Sequence, residues 1–323
     1  MSEKTATLKT SAPVKKKAVS RKEMTMFQWT LKEMRRNWIA YVMVLPYYFI
    51  FLLFTVVPVV LSVFFSFTSF NMLEPPIWLG MSNYIRLFLN DDIFIIAVQN
   101  TLVFAVVTGP GSYLLSFLVA WFINELPPKI RALVTLVFYA PSISGAMYTI
   151  WGIFFSGDSY GYVNGILLDL GFISSPIQWF KDATYVMPLC CVVALWTSLG
   201  AGFLSFIAGL QTVDRSLYEA GAVDGVKNRW QELWYITLPY MKPQLMFAAI
   251  LTITGSFGFG GIVTALAGMP SVDYAAHTIT HHLDDYGGAR YEIGYASAIA
   301  TVLFIIMVGS NFIVRKIISK VGE

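Results

Sequence analysis

Six stretches of this chain, 38–68, 95–123, 132–156, 186–210, 244–266 and 294–314, are apolar and long, and none contains any of the 22 Lys and Arg or 19 Asp and Glu residues. Each reaches the roughly 20 residues a helix needs to cross the hydrocarbon core of a bilayer. A charge at mid-membrane costs about 2.5–3.5 kcal/mol on the insertion scale, so runs this clean are what spanning helices require. The apolar residues run on without period-two alternation, which argues against a membrane β-barrel. The expected fold class is all-α, a polytopic membrane protein with six transmembrane helices.

The charges outside the runs set the orientation. On one side lie only Arg86, Lys181 and Arg290; the other 19 basic residues are on the opposite side. The positive-inside rule puts that basic side, with both termini, in the cytoplasm. The composition agrees: 13% of residues are charged, against about 25% in soluble proteins. Residues 1–23 are expected to form a disordered basic tail. Residues 24–37 are expected to form an amphipathic helix, with Phe27, Leu31, Met34 and Trp38 on one face and Lys32, Arg35 and Arg36 elsewhere; it suits either an anionic lipid surface or a polar lead-in to span one. A six-span domain follows over 38–316, and 317–323 is a cytoplasmic end. Span one is too long, and follows too long a polar tail, to be a cleavable signal.

Several chemistries are excluded or disfavoured. No G-x-x-x-x-G-K-[ST] occurs, so nucleotide handling belongs to another chain. Ser142, Ser198 and Ser256 have no acid or His partner at membrane depth, against an intramembrane hydrolase. Cys190 and Cys191 are sequence neighbours in an apolar run and read as packing residues, free of any disulfide or metal pattern. His277 and His281 are spaced i, i+4, as metal ligands on a helix can be, with His282, Asp284 and Asp285 nearby. Thr278 stands where a zinc protease has its glutamate, and solvated or interfacial histidines are the preferred reading. Neither a metal nor a nucleic-acid partner is expected. Prolines at 46, 58 and 141 and the Gly109–Gly111 kink suit moving helix bundles better than a proton relay.

One cytoplasmic segment, 211–243, is polar yet ordered. Leu217, Ala220, Gly221 and Asp224 share a helical face, whose small residues permit close approach by a partner. Ser216 and Glu219 fit a capping box. Gly225 is placed to take the left-handed conformation that ends the helix and reverses the chain. A second helix presents Trp230, Leu233, Trp234 and Thr237 on one face, and Pro239 and Pro243 close the unit. Exposed tryptophans beside charges suit a docking face, although a membrane-interface belt would use the same residues.

Glu219, Ala220, Gly221, Asp224, Gly225, Trp234, Ile236, Thr237, Leu238, Pro239 and Pro243 together resemble the E-A-A signature of permease subunits from ATP-binding-cassette importers. Gly221 and Val226 stand where the family pattern has alanines. The resemblance extends over most of residues 40–320, through Gly80, Asn83, Tyr84, Phe94, Asn100, Thr101, Pro141, Asn164, residues 208–211 and residues 293–298, and is nearest to the carbohydrate, maltose-type branch in its shorter six-span form. It implies the type I importer permease fold in a bacterial or archaeal cytoplasmic membrane. It further implies a second permease subunit, two ATPase subunits carrying ATP and Mg, and an external solute-binding protein. This chain itself would hold no cofactor and do no catalysis. Glu219 would be the charge partner of a basic ATPase groove, with Ala220 and Gly221 allowing deep seating.

A neutral sugar needs hydroxyl and aromatic groups and no fixed charge, which the spans supply. Trp196, Thr197, Ser198, Thr254 and Ser256 are candidates to line the path, against the alternative that each simply packs helix on helix. A polyamine or glycerol-phosphate permease shares the signature, and a channel without an ATPase is a more distant alternative. The spans lack the acidic groups expected along a polyamine path.

Overall fold

The computed structural model describes residues 26–145 and 147–319. The expected basic tail, the first residues of the expected surface helix and the last four residues lie outside the described residues. The chain forms two compact units, one through Val59 and one from Val60.

In the first unit, α1 (Met26–Arg36) carries the expected surface-helix sequence, with Arg35 and Arg36 in its last turn. The helix α2 (Trp38–Phe51) has no buried residue. A helix apolar on every face belongs in lipid or against other chains. A π-helical turn over Leu52–Val56 follows, in which the Leu52 carbonyl accepts from Val57 N–H; α3 (Val57–Phe65) then runs on into the second unit. The wide turn has a local cause: Pro58 has no N–H and its ring would meet the carbonyl four residues back.

The second unit begins with a two-stranded antiparallel ribbon, β1 (Thr68–Ser69) and β2 (Ile77–Trp78), with Thr68 opposite Trp78. The helix α4 (Ser82–Leu89) leads to α5 (Asp92–Asn124), whose N-cap Asp91 accepts from Phe94 N–H. Span two, α5, is the axis of the bundle, packing against spans four and five. Its buried residues include Ala97, Thr101, Ala105, Thr108, Gly109, Ser112, Ser116 and Ala120. Small residues at three- and four-residue steps let neighbouring backbones approach closely in lipid.

Spans three, four and five are each broken, in keeping with the kinked bundles expected. Span three is α6 (Pro128–Ile143) and α7 (Met147–Phe154), with the short surface helix α8 (Tyr162–Asp169) after it. Span four is α9 (Ala183–Thr197) and α10 (Ala201–Thr212), interrupted at Ser198–Gly200. The hairpin helices α11 (Arg215–Val223), α12 (Arg229–Glu232) and α13 (Leu238–Tyr240) follow. Span five is α14 (Lys242–Ser256) and α15 (Gly260–Ala267), and α14 turns by 81° from the hairpin's second limb. The helix α16 (Ile279–Asp284) lies in the last external stretch, and α17 (Ile293–Ile318) is span six. Among the described residues, four helices are long and apolar enough to cross a membrane, and up to six if each of two bent pairs, α6 with α7 and the hairpin's second limb with α14, counts as one. The interruptions fall at clusters of glycine and serine, which tolerate non-helical backbone.

The buried apolar residues form one cluster towards the cytoplasmic ends, including Phe117, Phe203, Phe206, Leu233 and Met241, and two towards the outside. Cys190 and Cys191 are unpaired and buried in an outer cluster, as packing residues should be.

Candidate functional site

The cytoplasmic hairpin is built as a helix, a glycine reversal and a second, irregular helix. The first limb, α11, is capped by Asp214, whose carboxylate accepts from Ser216 N–H. This corrects the expected Ser216 cap: the helix begins earlier, so Glu219 has no capping partner. Its side chain is 74% exposed, 3.8 Å from Arg215. Ala220, Asp224 and Leu217 are also exposed. Gly225 has φ +95°, the left-handed value expected of it. The Val226 N–H closes back onto the Gly221 carbonyl at 2.9 Å, the six-to-one bond of a Schellman cap.

Gly221 serves a different contact from the one its sequence suggests. It is buried, and a Cβ there would lie 2.6 Å from Ile236 Cδ1. Its smallness brings the two limbs of the hairpin together. The residues of this limb's first face that stay exposed are Leu217, Ala220 and Asp224, with Glu219 beside them.

The second limb contains a π-helical turn over Leu233–Thr237, again two residues before a proline, Pro239. Leu233 and Thr237 are buried, while Trp230 and Trp234 are 65% and 67% exposed. The expected single face of four residues is thus divided into an anchoring pair and an outward pair. Tyr218 Oη and Thr237 Oγ1 are 2.9 Å apart, linking the limbs. Arg229 bonds both Glu232 Oε2 and Glu125 Oε2, and Trp230 lies 5.1 Å from Trp121 of span two. A cleft of about 590 Å³ separates the hairpin from the cytoplasmic ends of the spans; Trp121, Arg131, Tyr218 and Arg229 are among its lining residues.

The interruptions of the spans come together at membrane depth. A Cβ on Gly200 would be 3.6 Å from Ser142 Cβ, joining the breaks of spans four and three. A Cβ on Gly109 would be 3.4 Å from Ser256 Oγ, joining the kink of span two to the end of α14. Irregular backbone at this depth persists only inside protein or along a cavity. Of the five candidate path residues, Trp196 is half-buried and meets Trp151 edge-on at 5.4 Å. Thr197 and Ser198 hydrogen-bond carbonyls of their own helix. Ser256 is buried and bonds the Ile253 carbonyl, whereas Thr254 is exposed and accepts from Asn311 Nδ2.

At the external end the structure corrects the reading of the histidines. His277, His281 and His282 are 3%, 1% and 2% exposed, neither solvated nor interfacial. The last external stretch folds back onto spans two and six and buries them. Asn100 Nδ2 donates to the Tyr274 and His277 carbonyls, and Thr101 Oγ1 accepts from Ile279 N–H. Asp91 Oδ2 lies 2.9 Å from His282 Nε2 and accepts from Tyr295 Oη at 2.7 Å. Asn83 and Asn164 hold the other external loops in the same way, Asn83 by donating to the Ser66 and Thr68 carbonyls and Asn164 by donating to those of Ser156, Asp158 and Ile177. Among the described residues, no group of three or more His, Cys, Asp and Glu is arranged to hold a metal ion.

Both ring nitrogens of His277 are buried without a hydrogen-bond partner. Burial, reinforced by His281 and His282, pushes it down to about 4. Burial also holds His281 and His282 below the usual imidazole range, in the latter against the pull of Asp91. A base depressed in the folded state contributes stability above its unfolded value, about 6.5, and that stability is lost as pH falls through the window towards 4. The thermal midpoint should therefore fall on acidification from pH 6.5 to 4. His277→Phe, which surrenders no hydrogen bond, should move that fall to lower pH and leave the midpoint at pH 7.5 nearly unchanged. An identical acid profile in the variant would refute the assignment.

Kinked and broken spans meeting at membrane depth, with an ordered hairpin on the cytoplasmic side, define a multi-pass transporter subunit. The chain is 31% identical over 281 residues to the arabinooligosaccharides transport system permease protein AraP of Bacillus subtilis, covering 86% of this chain and 87% of that one. It is 29% identical over 281 residues to the probable ABC transporter permease protein YesP of the same organism, covering 84% and 87%. A bacterial alginate ABC transporter, solved in complex with an alginate pentasaccharide-bound periplasmic protein, superposes with a TM-score of 0.71 at 26% identity, over 90% of this chain and 99% of that one. No family model matches the chain. The chain belongs to the permease subunits of ABC importers.

Proposed function

We propose that this permease forms one half of the path by which a bacterial or archaeal cytoplasmic membrane takes up a neutral sugar or oligosaccharide. An external binding protein delivers the solute. A second permease subunit supplies the other half, and two partner ATPases bind Mg and ATP. The observation that carries the reading is the hairpin: a helix ended by a left-handed glycine, with Glu219 and Ala220 exposed on the cytoplasmic side. The relatives' transport of arabinooligosaccharides and alginate supports the solute class. The absence of charge from the six runs favours a neutral member of it over an acidic one.

Co-expression with candidate second-permease, ATPase and binding-protein subunits tests this directly. The expected result is a co-purifying complex whose proteoliposomes take up labelled neutral oligosaccharides only when ATP is supplied. Uptake without a co-purifying ATPase would overturn the reading. Within the path, Trp196→Ala should raise the KM for uptake roughly threefold to tenfold, given about 0.5–1.5 kcal/mol for an aromatic contact beyond its buried area. Trp196→Phe should retain most of the affinity. Equal KM values in all three proteins would remove Trp196 from the path.

A further inference from the structure

The two limbs of the hairpin are held differently. The first limb, α11, is exposed apart from Gly221 and the half-buried Leu-flanking Tyr218, and it rests on the second limb through Ile236 and Thr237. The second limb is rooted in the protein: Leu233 joins the apolar cluster that contains Phe117 and Ile123 of span two. The cleft of about 590 Å³ lies between this hairpin and the ends of the spans. Leu233 anchors the second limb to span two, and the side-chain contacts at the cleft rim set the angle between the hairpin and the end of that span.

Arg229 is the most directed of these. One Nη bonds Glu232 at 2.6 Å on its own helix, and the other bonds Glu125, the C-cap residue of span two. The neighbouring Trp230 meets Trp121 one turn back along the same span. A planar guanidinium shared between two carboxylates fixes direction as well as distance, which a single ammonium cannot do. The Arg229 and Glu125 side chains are 59% and 45% exposed, and exposed ion pairs add only about 0–1 kcal/mol to stability. Stability is thus a weak reason for the arrangement, whereas orientation is a strong one.

We infer that Arg229 is a positioning residue that makes span two follow the hairpin as one body when the ATPase subunits move. Span two packs against spans four and five, and its Gly109 abuts the end of α14 at the level of the breaks. A displacement at Glu125 therefore reaches the part of the bundle where the spans are interrupted. This inference rests on the reading that the hairpin receives the ATPase movement, and the test separates the two.

The test uses the complete complex with its ATPase subunits, spin-labelled in pairs at Val223→Cys with Phe122→Cys, and at Val223→Cys with Phe312→Cys. The probe is Mg with a non-hydrolysable ATP analogue. With Arg229 present, the analogue should change the 223–312 distance and leave the 223–122 distance constant. In Arg229→Gln, and independently in Glu125→Gln, the 223–122 distance should shift by about 2 Å or more, the scale of helix displacements in such transitions. Arg229→Lys, able to hold one carboxylate at a time, should give an intermediate shift. The thermal midpoints should stay close to that of the parent protein, which a merely structural role would not predict. A 223–122 distance that stays constant in both variants overturns the role of Arg229. A 223–312 distance that ignores nucleotide in the parent complex overturns the coupling role of the hairpin itself.

Discussion

Replacing Gly225 by valine is expected to leave the protein in the membrane, and its complex assembled, while uptake falls about tenfold and ATP hydrolysis continues; tenfold corresponds to about 1.4 kcal/mol. Gly225 has φ +95° and nothing lies within 4 Å of a Cβ built on it. The substitution therefore meets no neighbour, and its whole effect is on the backbone. A left-handed conformation costs an L-residue about 1–2 kcal/mol, and a branched Cβ is the least tolerant of it. The strain acts where the Val226 N–H closes onto the Gly221 carbonyl, 2.9 Å away, so the first limb is released from its angle to the second. Gly225→Asn is the control, because asparagine adopts the left-handed region more readily; it should keep most of the uptake per ATP hydrolysed. Reconstituted proteoliposomes give both rates. Wild-type uptake by Gly225→Val would sink the claim that the reversal transmits motion.

The parts of this protein that were legible in its sequence are those decided locally. Apolar run length gives the spans, because a helix must be uninterrupted by charge over a fixed thickness. The left-handed Gly225 is legible because the change from a small-residue helix to a polar turn allows few other conformations. Kinked spans are legible from their prolines and glycines, but the positions of the breaks in spans three to five are less so, since an apolar run is equally apolar when its helix is interrupted. Their signal was present in the Ser198–Gly200 and Gly255–Gly261 regions, where glycine recurs within an otherwise helical pattern. The capping-box pattern points to Ser216 as the cap of α11, but Asp214 takes it, because its own backbone is extended, with ψ 131°, immediately before the first turn. The role of Gly221 depends on Ile236, beyond a reversal whose geometry the pattern leaves open. The histidines were least legible. Their burial is decided by Asp91 and Asn100, some 191 and 177 residues away along the chain, and three imidazoles beside two aspartates read locally as a polar loop.

Replacing Gly294 by alanine is expected to produce the largest loss of stability, about 3 kcal/mol or more, since overpacking typically costs 1–3 kcal/mol and more when nothing can yield. Gly294 opens span six with its N–H on the Phe70 carbonyl at 3.0 Å. A Cβ there would overlap the Thr68 carbonyl oxygen and stand 3.1 Å from Phe70 N. These are backbone atoms, which cannot rotate aside as a side chain can. They are also fixed from other directions: the Thr68 carbonyl accepts from Asn83 Nδ2 at 2.9 Å, its hydroxyl donates to the Phe65 carbonyl at 2.9 Å, and its strand pairs with Trp78. Moving span six outward would instead disturb Tyr295, whose hydroxyl bonds Asp91 beside His282. The strain would therefore spread into the external histidine network whichever element yields. Gly309→Ala supplies the comparison within the same helix, with nothing within 4 Å of the added methyl. There the exchange should be neutral or stabilising, by up to about 0.5–1 kcal/mol, because alanine loses less freedom than glycine on entering a helix. Thermal unfolding of the detergent-solubilised protein at pH 7.5 reads both. Equal midpoints for the two variants would mean that the start of span six is not seated on the ribbon as described.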